Sequence, residues 1–414
     1  MFRALASAAF LLGLSGVAGA APLELHHGVG LHEWLNWSPI TADKSYVWPP
    51  YRSVADWLAG ARPASDWPAG DEFVRIRKMG FDFVRLSVDP GPLLASDGAR
   101  RRQALDVLES DVEQITSAGL NVVFNLQSVS QVPAYGMDVV NAGSTSPKVA
   151  RYEQMAADVA RMLVKIGADK VAIEPFNEPA YYPCDTKGTG DWQRVMAKTV
   201  ATIRAVSADL TVVATGACGG DITGLVDLNP SFDDPNILYS FHMYDPHSFT
   251  HQRLDDASMF GSGLPWPPEA GTPEGVMEAL SARMELEGVD PAAQAANLQV
   301  VRPLIDAYFS DNFDRAALDQ EFESAAAWAK SNGIPTQRLY MGEFGVILMS
   351  ADGRTGAANA DRLRYIVDVR SEAEKLGIPW SVWEYSNPYG MSVIVPNGPA
   401  NPDMDLLKAL GLTQ

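Results

Sequence analysis

The chain is poor in cysteine, in histidine and in positive charge. Two cysteines and six histidines occur in 414 residues, and 51 acidic residues outnumber 32 basic ones, giving a net charge of −19. Two cysteines exclude a disulfide-rich scaffold. The excess of negative charge argues against nucleic acid and anionic membranes as partners, and it fits a soluble exported protein that acts on a neutral substrate.

The few histidines also lack the spacing of a metal site. No H-x-H pair ends the first predicted strand, and no zinc-binding spacing is present. A metal-dependent barrel hydrolase is therefore a rival interpretation without support from the sequence, and we expect neither a metal nor a cofactor. The histidines are His26, His27, His32, His242, His247 and His251.

Beyond the first twenty residues, the sequence has no run long and apolar enough to cross a bilayer. Residues 1–20 carry one charge, Arg3, followed by an apolar run that ends in A-G-A at 18–20. This pattern is typical of a secretory signal peptide; a buried or membrane N-terminal helix is the alternative. We expect a secreted or periplasmic monomer, with residues 21–414 as a single domain because no linker or repeat interrupts them.

Short apolar runs alternate with amphipathic helical runs along the chain. Eight runs are suited to buried parallel strands, and helical spacing of apolar residues is evident between them, for example over 99–118, 148–167, 191–207 and 359–376. Gly119 and Gly167 stand where helices should end. The strand candidates are 23–31, 81–88, 121–127, 171–178, 210–217, 237–244, 339–346 and 380–386.

Eight strands with crossover helices predict an α/β fold, a closed (β/α)₈ TIM barrel. An open doubly wound sheet is the rival, but "HHGVGLHEW" lacks the third glycine of a phosphate-binding turn. Two regions exceed the needs of a barrel. They are a Trp-rich N-terminal loop region at 32–70, with five of the ten tryptophans, and a long insertion at 247–330 after strand six. Both should lie at the C-terminal rim, where barrel enzymes build their sites.

Polar residues collect near the carboxyl ends of the predicted strands, which meet at one mouth in a barrel. "VAIEPFNEPA" at 171–180 carries two acids, Glu174 and Glu178. On one continuous strand, Glu174 would lie roughly 13 Å deeper than Glu178, at about 3.3 Å per residue, and would need a cation or several hydrogen-bond donors. The polar strand-end residues are Arg85, Asn125, Gln127, Asn177, Glu178, His242, Tyr244, Glu343, Trp383 and Glu384.

The strand-end strings resemble glycoside hydrolase family 5, the cellulase family of a retaining (β/α)₈-barrel clan. "FVRL", "NEP", "HMY", "GEFG" and "WSVW" occur in this order between residues 81 and 386. The resemblance implies that Glu178 is the general acid/base and Glu343 the nucleophile. It also implies that Asn177 binds the sugar 2-hydroxyl and that Arg85 keeps Glu343 ionised.

Other positions match the family less completely. The resemblance implies that His242 and Tyr244 flank the two carboxyls, that Trp383 is the platform under the sugar, and that Glu174 is a buried acid. The family usually ends strand three in a histidine, whereas this chain has Gln127, which can hydrogen-bond a sugar hydroxyl but cannot titrate. This departure leaves the sugar specificity open.

Glycosidic bonds break through an oxocarbenium-like transition state, and the reaction requires one protonated and one ionised carboxyl. Carboxyls about 5–5.5 Å apart predict retention of the anomeric configuration, and about 6.5–9.5 Å predicts inversion. We expect the short distance. Tryptophans can stack on sugar rings, so Trp34, within the Trp-rich region, is a further candidate for substrate binding.

The expected function is a retaining endo-β-1,4-glucanase acting on a polysaccharide or oligosaccharide. The alternatives are an exo-acting β-glucosidase or β-1,3-glucanase, a β-mannanase, and a non-catalytic carbohydrate-binding barrel. The exo-acting alternative stays open because the insertion at 247–330 could close one end of the cleft. Cys184 and Cys218 each follow a predicted strand, so one disulfide is an open option in an oxidising compartment.

Overall fold

The chain folds as a closed parallel barrel of eight strands, confirming the predicted fold class. The computed structural model describes residues 21–61, 72–232, 234–252, 262–350, 354–386, 391–394 and 401–412. In this part of the chain each strand pairs with the next and β8 pairs with β1. The strands are β1 His27–Leu31, β2 Phe83–Val88, β3 Asn121–Leu126, β4 Val171–Glu174, β5 Thr211–Thr215, β6 Ile237–Met243, β7 Leu339–Phe344 and β8 Trp380–Val382.

Helices surround the barrel and cover the outward faces of the strands. Gly119 and Gly167 follow two of the predicted helices with positive φ values of 82° and 132°, as expected where a helix ends. The helices are α1 Val54–Ala61, α2 Glu72–Lys78, α3 Gly91–Leu94, α4 Gly98–Ser117, α5 Met137–Val140, α6 Pro147–Ile166, α7 Trp192–Arg204, α8 Ile222–Asp227, α9 His247–Thr250, α10 Pro273–Leu286, α11 Pro291–Asp311, α12 Arg315–Ser331, α13 Asn359–Lys375 and α14 Met404–Ala409.

Two apolar layers account for the continuous hydrophobic runs of the strands. Side chains that point outward from the barrel join the large core beneath the helices. Inward-pointing side chains form a smaller cluster that fills the barrel below the polar mouth. Strands buried on both faces read as near-continuous apolar runs, which explains why they stand out in the sequence. The inner cluster contains Leu25, Phe83, Val123, Ala172, Val213, Leu238 and Tyr340.

The fourth strand is shorter than predicted, and this changes the position of an acid. β4 ends at Glu174, and residues 175–178 are not strand. The expected separation of roughly 13 Å in depth between Glu174 and Glu178 assumed an extended strand through both residues. The chain instead bends at 177–178, so that assumption does not hold.

The insertion after β6 is also shorter than predicted. Helix α12 packs against α8 and α13 and precedes β7, so it is the regular crossover helix of the barrel. The additional chain is therefore about 247–314, and it contains the paired helices α10 and α11. Its Trp266 packs edge-on against Tyr365 of α13, with ring centroids 4.9 Å apart, which anchors the insertion to the barrel.

The Trp-rich region is largely a structural element rather than a lining of the cleft. Trp34 is fully buried and stacks on Trp57 at 5.3 Å, and its indole N–H donates to the backbone oxygen of Arg52 at 2.7 Å. The assignment of Trp34 to substrate binding is thus wrong, because it has no surface to offer a sugar. Trp37, in contrast, is 37% exposed, and Trp67 lies outside the described residues.

The expected signal peptide at 1–20 also lies outside the described residues. Within the part of the chain that is described, the helices are too short or too polar to span a bilayer.

We expect Trp34→Ala to lower the free energy of unfolding by about 3–5 kcal/mol, because it removes a buried aromatic ring and leaves a cavity. Trp37→Ala is the matched control and should cost less than about 1 kcal/mol, because its ring is partly exposed. Urea unfolding followed by circular dichroism measures both values. Equal losses for the two variants would contradict the placement of Trp34 in the core.

Candidate active site

A single buried arginine organises the polar mouth of the barrel. Arg85, on β2, is fully buried. It binds Glu174 with two hydrogen bonds, from Nε to Oε2 at 2.7 Å and from Nη2 to Oε1 at 3.1 Å. Its Nη1 donates to Glu343 Oε1 at 2.5 Å. Burial lowers the pKa of Arg85, but the two carboxylates outweigh it and raise the pKa above its usual value, so the guanidinium stays charged.

Glu174 therefore has the buried cation that its position requires. Both of its carboxylate oxygens are occupied by Arg85, and its side chain is fully buried. A fork-to-fork pair of this kind fixes the guanidinium plane as well as its charge. The role of Glu174 is to orient Arg85, which then faces Glu343 and Asn177 with its remaining donors.

Glu343, on β7, is held from two sides. Arg85 contacts one carboxylate oxygen, and the hydroxyl of Tyr244 donates to the other at 2.9 Å. Burial and the nearby Glu343 raise the pKa of Tyr244 well above its usual value, which keeps its hydroxyl protonated and able to donate. A positive charge and a hydrogen-bond donor thus both face the side chain of Glu343.

Glu178 faces the same space from the opposite side of the mouth, and its surroundings differ. Its side chain is 41% exposed, whereas that of Glu343 is 6% exposed. His242 lies between them, with Nδ1 at 2.8 Å from Glu178 Oε1 and 3.7 Å from Glu343 Oε2. One ligand atom from each of these three side chains lies within 4.8 Å of the others. The two carboxyls are thus close neighbours in unlike environments.

His242 is buried, and burial by itself lowers the pKa of its imidazole. The carboxyls of Glu343 and Glu178 outweigh this effect, together with the opposing charge of Arg85, and raise the pKa above 6.5. The histidine is therefore a group whose charge is coupled to the two acids.

Three side-chain amides extend the network toward β3. Asn177 Oδ1 accepts from Arg85 Nη2 at 2.7 Å. Asn125 Nδ2 lies 3.4 Å from that same oxygen and 3.1 Å from Gln127 Oε1. Gln127 reaches the cleft wall at the position where the resemblance implied a histidine.

A cleft of about 530 Å³ opens over the two acids. Its lining joins the predicted residues Gln127, Glu178, His242, Tyr244, Glu343 and Trp383 in one site. Sequence reasoning missed the rest of the lining, because these residues lie on loops after β5 and β6 and belong to no periodic pattern. They are Cys218, Gly219, Asp221, Asp245, His247 and His251.

Two further histidines near the cleft, His251 and His32, are neutral. Burial lowers the pKa of His251 to about 3, and the charge of His247 adds to the effect; the two rings stack with centroids 3.9 Å apart. Burial likewise lowers the pKa of His32 to about 4, with Glu343 raising it and Arg85 lowering it. His32 follows β1, and its ring lies 4.7 Å from that of Trp383, which it helps to position.

Glu178, His242 and Glu343 are also the group of acidic and histidine side chains that, among the described residues, is close enough to hold a metal ion. The carboxylate oxygens of Glu343 already face Arg85 and Tyr244. A cation at this point would have to compete with a buried guanidinium, so the donor set fits an acid–base pair better than a metal centre.

Cys184 and Cys218 form a disulfide, with Cα atoms 5.1 Å apart. The bond links the loop after β4, which carries Glu178, to the loop after β5. A backbone hydrogen bond from Gly219 N to Pro179 O at 3.1 Å joins the same two loops. Since Cys218 lines the cleft, the disulfide helps to shape the wall beside Glu178.

A closed parallel barrel with two facing carboxyls at its carboxyl-end mouth defines the class of (β/α)₈-barrel glycoside hydrolases. The model of the family described as Cellulase (glycosyl hydrolase family 5) matches residues 63–388. The chain belongs to this family.

Curated relatives agree with this placement, and solved structures agree with the fold. Endoglucanase 3 of Fibrobacter succinogenes is 27% identical over 277 residues, which are 65% of this chain and 37% of that protein. Endoglucanase C of Acetivibrio thermocellus is 25% identical over 75% of this chain and 81% of its own length. The structure of endoglucanase Cel5A from the hyperthermophilic Thermotoga maritima is similar in fold, with a TM-score of 0.63 and 19% identity over 93% of this chain and 96% of that one.

The raised pKa of His242 predicts a pH-dependent contribution to stability. A group whose pKa rises on folding stabilises the folded protein fully at pH values below its pKa in the unfolded state, here near 6.5. This stabilisation is lost as the pH rises through the pKa of the folded state. We expect wild type to exceed His242→Asn in unfolding free energy by more at pH 5.5 than at pH 8.5. Urea unfolding at both values measures the difference; a gap that is equal, or larger at pH 8.5, would contradict the assignment.

Removal of the disulfide should lower both the stability and the activity of the protein. Cys184→Ser combined with Cys218→Ser should cost about 2–4 kcal/mol of stability, the usual range for an intermediate loop, and here the separation is 34 residues. It should also reduce kcat, because the loop carrying Glu178 loses an anchor. Alkylation of the native protein should label no thiol before reduction and two after it; two labelled thiols before reduction would exclude the bond.

Proposed function

We propose that the protein is an endo-β-1,4-glucanase that cleaves β-glucan by double displacement with net retention. The observation that carries the proposal is the proximity of Glu178 and Glu343, because one carboxyl oxygen of each lies within 4.8 Å of the other. This distance fits the about 5–5.5 Å of retaining enzymes rather than the about 6.5–9.5 Å of inverting ones.

The surroundings of the two acids support opposite roles. Glu343 is buried against Arg85 and Tyr244, so it acts as the nucleophile that attacks the anomeric carbon. Glu178 is exposed to the cleft, so it can give its proton to the leaving oxygen and later take one from water. His242, between them, holds Glu178 in place and follows its change of charge.

The remaining residues bind and orient the sugar. Asn177 turns its carbonyl to Arg85 and has its amide N–H groups left for the 2-hydroxyl. Trp383 lines the cleft and offers an aromatic face to the apolar side of a sugar ring. Interactions with the 2-hydroxyl strengthen in the transition state and contribute to the rate.

The choice of an endo-acting β-1,4-glucanase has two supports. Related proteins bear the name endoglucanase, and the residues that line the cleft include none from the helices α10 and α11 among the described parts of the insertion. His247 and His251, at the start of the insertion, do line the cleft, so among the described residues the insertion contributes to the cleft wall through this end and not through its paired helices. A neighbouring structure titled as a complex of Thermotoga maritima Cel5A with mannotriose makes β-mannan the second substrate to test.

The proposed setting is outside the cytoplasm, and the protein acts there as a monomer. The A-G-A pattern at 18–20 and the disulfide support export.

We expect Glu343→Ala to abolish hydrolysis of soluble cellulose derivatives, with a loss in kcat of about 10⁴-fold or more, because no nucleophile remains. Glu178→Ala should also lose activity, but less on substrates whose leaving group needs no protonation. Glu285→Ala, an exposed acid on α10, is the matched control and should match wild type. Activity should survive chelation.

Proton NMR of the first products should show the β-anomer, and a profile of oligosaccharide lengths from cellulose derivatives should show internal cleavage. An α-anomer appearing first would overturn the mechanism. Faster turnover of β-1,3-glucan or β-mannan than of β-1,4-glucan would change the assigned substrate but not the assigned mechanism. Sugar binding without turnover by wild type would favour a non-catalytic barrel.

A further inference from the structure

Strand β7 contains one residue more than β6 directly before the acid that it carries. Phe241 lies opposite Met341, but the next residue of β6, His242, lies opposite Glu343. Gly342 is thus left between two consecutive pairs. An extra residue of this kind in one strand is a β-bulge, and bulges occur next to active sites, where they re-aim a side chain.

The other neighbour of β7 shows the same extra residue. The N–H of Met341 donates to the carbonyl of Pro379, at the start of β8, at 2.9 Å. If this parallel ladder continued regularly, the N–H of Trp383 would bind the carbonyl of Glu343. It donates instead to the carbonyl of Phe344 at 2.8 Å. Strand β7 therefore gains one residue relative to both of its neighbours.

The bulge decides which way the side chain of Glu343 points. Side chains alternate between the two faces of a strand, and Tyr340 points into the barrel, where it belongs to the inner apolar cluster. In a regular strand, residue 342 would also point inward and residue 343 would point outward, beneath the helices. One extra residue reverses this alternation, and the carboxylate of Glu343 meets Arg85 inside the mouth.

Gly342 fits the bulge because it has no side chain. A Cβ atom at this position would lie 2.8 Å from Ser240 Oγ and 3.1 Å from His242 Nε2. The first distance is shorter than a carbon and an oxygen atom tolerate without a shift. Glycine within a strand is typical of a bulge or of a close approach of this kind. The backbone of the bulge therefore packs closely against His242.

The carbonyl group of Gly342 is held by the side chain of Ser381. Ser381 lies on β8, is fully buried, and donates its hydroxyl proton to Gly342 O. Its Oγ also lies 2.8 Å from the hydroxyl of Tyr340. A serine hydroxyl has one proton, and a carbonyl oxygen can only accept, so this proton goes to Gly342 and Tyr340 donates to Ser381. The peptide that joins Gly342 to Glu343 thus has a fixed orientation.

We propose that Ser381 is a positioning residue for the reaction: its hydroxyl fixes the carbonyl of Gly342, and with it the bulge that holds the carboxylate of Glu343 in the mouth. The proposal rests on the proposed function, because it takes Glu343 as the nucleophile. Within the described part of the chain, Ser381 does not line the cleft. Its effect on the substrate therefore passes through the backbone before Glu343.

Kinetics with soluble cello-oligosaccharides test the effect on turnover. Ser381→Ala should lower kcat about 10- to 100-fold, because a misplacement of about 1 Å can cost about 10²-fold, and KM should change little because the cleft lining is intact. Ser96→Ala is the matched control: Ser96 is also buried and donates to a backbone carbonyl, Pro92 O, at 2.8 Å, but it lies between α3 and α4. It should leave kcat unchanged.

An external nucleophile separates positioning from general support of the site. In Glu343→Gly, azide forms a bond to the anomeric carbon of a dinitrophenyl β-cellobioside while the bond to the phenolate breaks, which gives an α-glycosyl azide. Azide is not attached to the bulge. Adding Ser381→Ala to Glu343→Gly should therefore change the azide-dependent rate by less than about twofold, the usual limit for independent sites.

The outcomes separate the inference from the function on which it rests. If wild type hydrolyses the oligosaccharides and Ser381→Ala keeps its kcat, or loses as much in the azide reaction as in hydrolysis, the inference is overturned and the function stands. If folded wild type hydrolyses no β-glucan or β-mannan, both are overturned. Circular dichroism checks that the variants are folded. Should Ser381→Ala fail to fold, Ser381→Cys, which keeps the shape but has a weak donor, takes its place in both comparisons.

Discussion

The buried Arg85 is the constraint on which the rest of the site depends. A single positive charge at the centre of the mouth meets Glu174 and Glu343, and taking these groups out of water costs several kcal/mol per ion. The cost is offset by the geometry, because Arg85 donates four hydrogen bonds to carboxylate and amide oxygens. These hydrogen bonds fix the orientation of the guanidinium group, and this orientation in turn positions the side chains that contact it.

The closed barrel is what allows residues so far apart in the chain to share one cation. Arg85 and Glu343 are 258 positions apart in sequence, yet both lie on strands whose register the barrel fixes. Loops then add what strands cannot supply. The disulfide and the Gly219–Pro179 hydrogen bond tie the segment carrying Glu178 to its neighbour, because this segment leaves the sheet after Glu174 and has no strand partner to hold it.

The strands and most of the site were predictable from sequence because their signals are local. An apolar run followed by a polar residue at its carboxyl end marks both a buried strand and the mouth, as for His242 and Glu343. Trp34 was misplaced because composition cannot tell a core indole from one that faces a cleft. His251 and Cys218 were missed as cleft residues, since they sit on loops whose path depends on tertiary packing. The predicted extent of β4 was wrong for a related reason: "VAIEPFNE" has strand composition, but the strand ends at Glu174, directly before the proline.

The substitution of Gln127 for a titrating side chain has a consequence that follows from the same buried charge. A histidine at that position would exchange a proton with solvent and could face the sugar as donor or acceptor, according to pH. An amide has no such freedom once one of its ends is committed to Asn125. Arg85, which contacts Glu343, is joined to the cleft wall at Gln127 through Asn177 and Asn125. Because none of these three amides titrates, this link between the buried charge and the cleft wall does not change with pH.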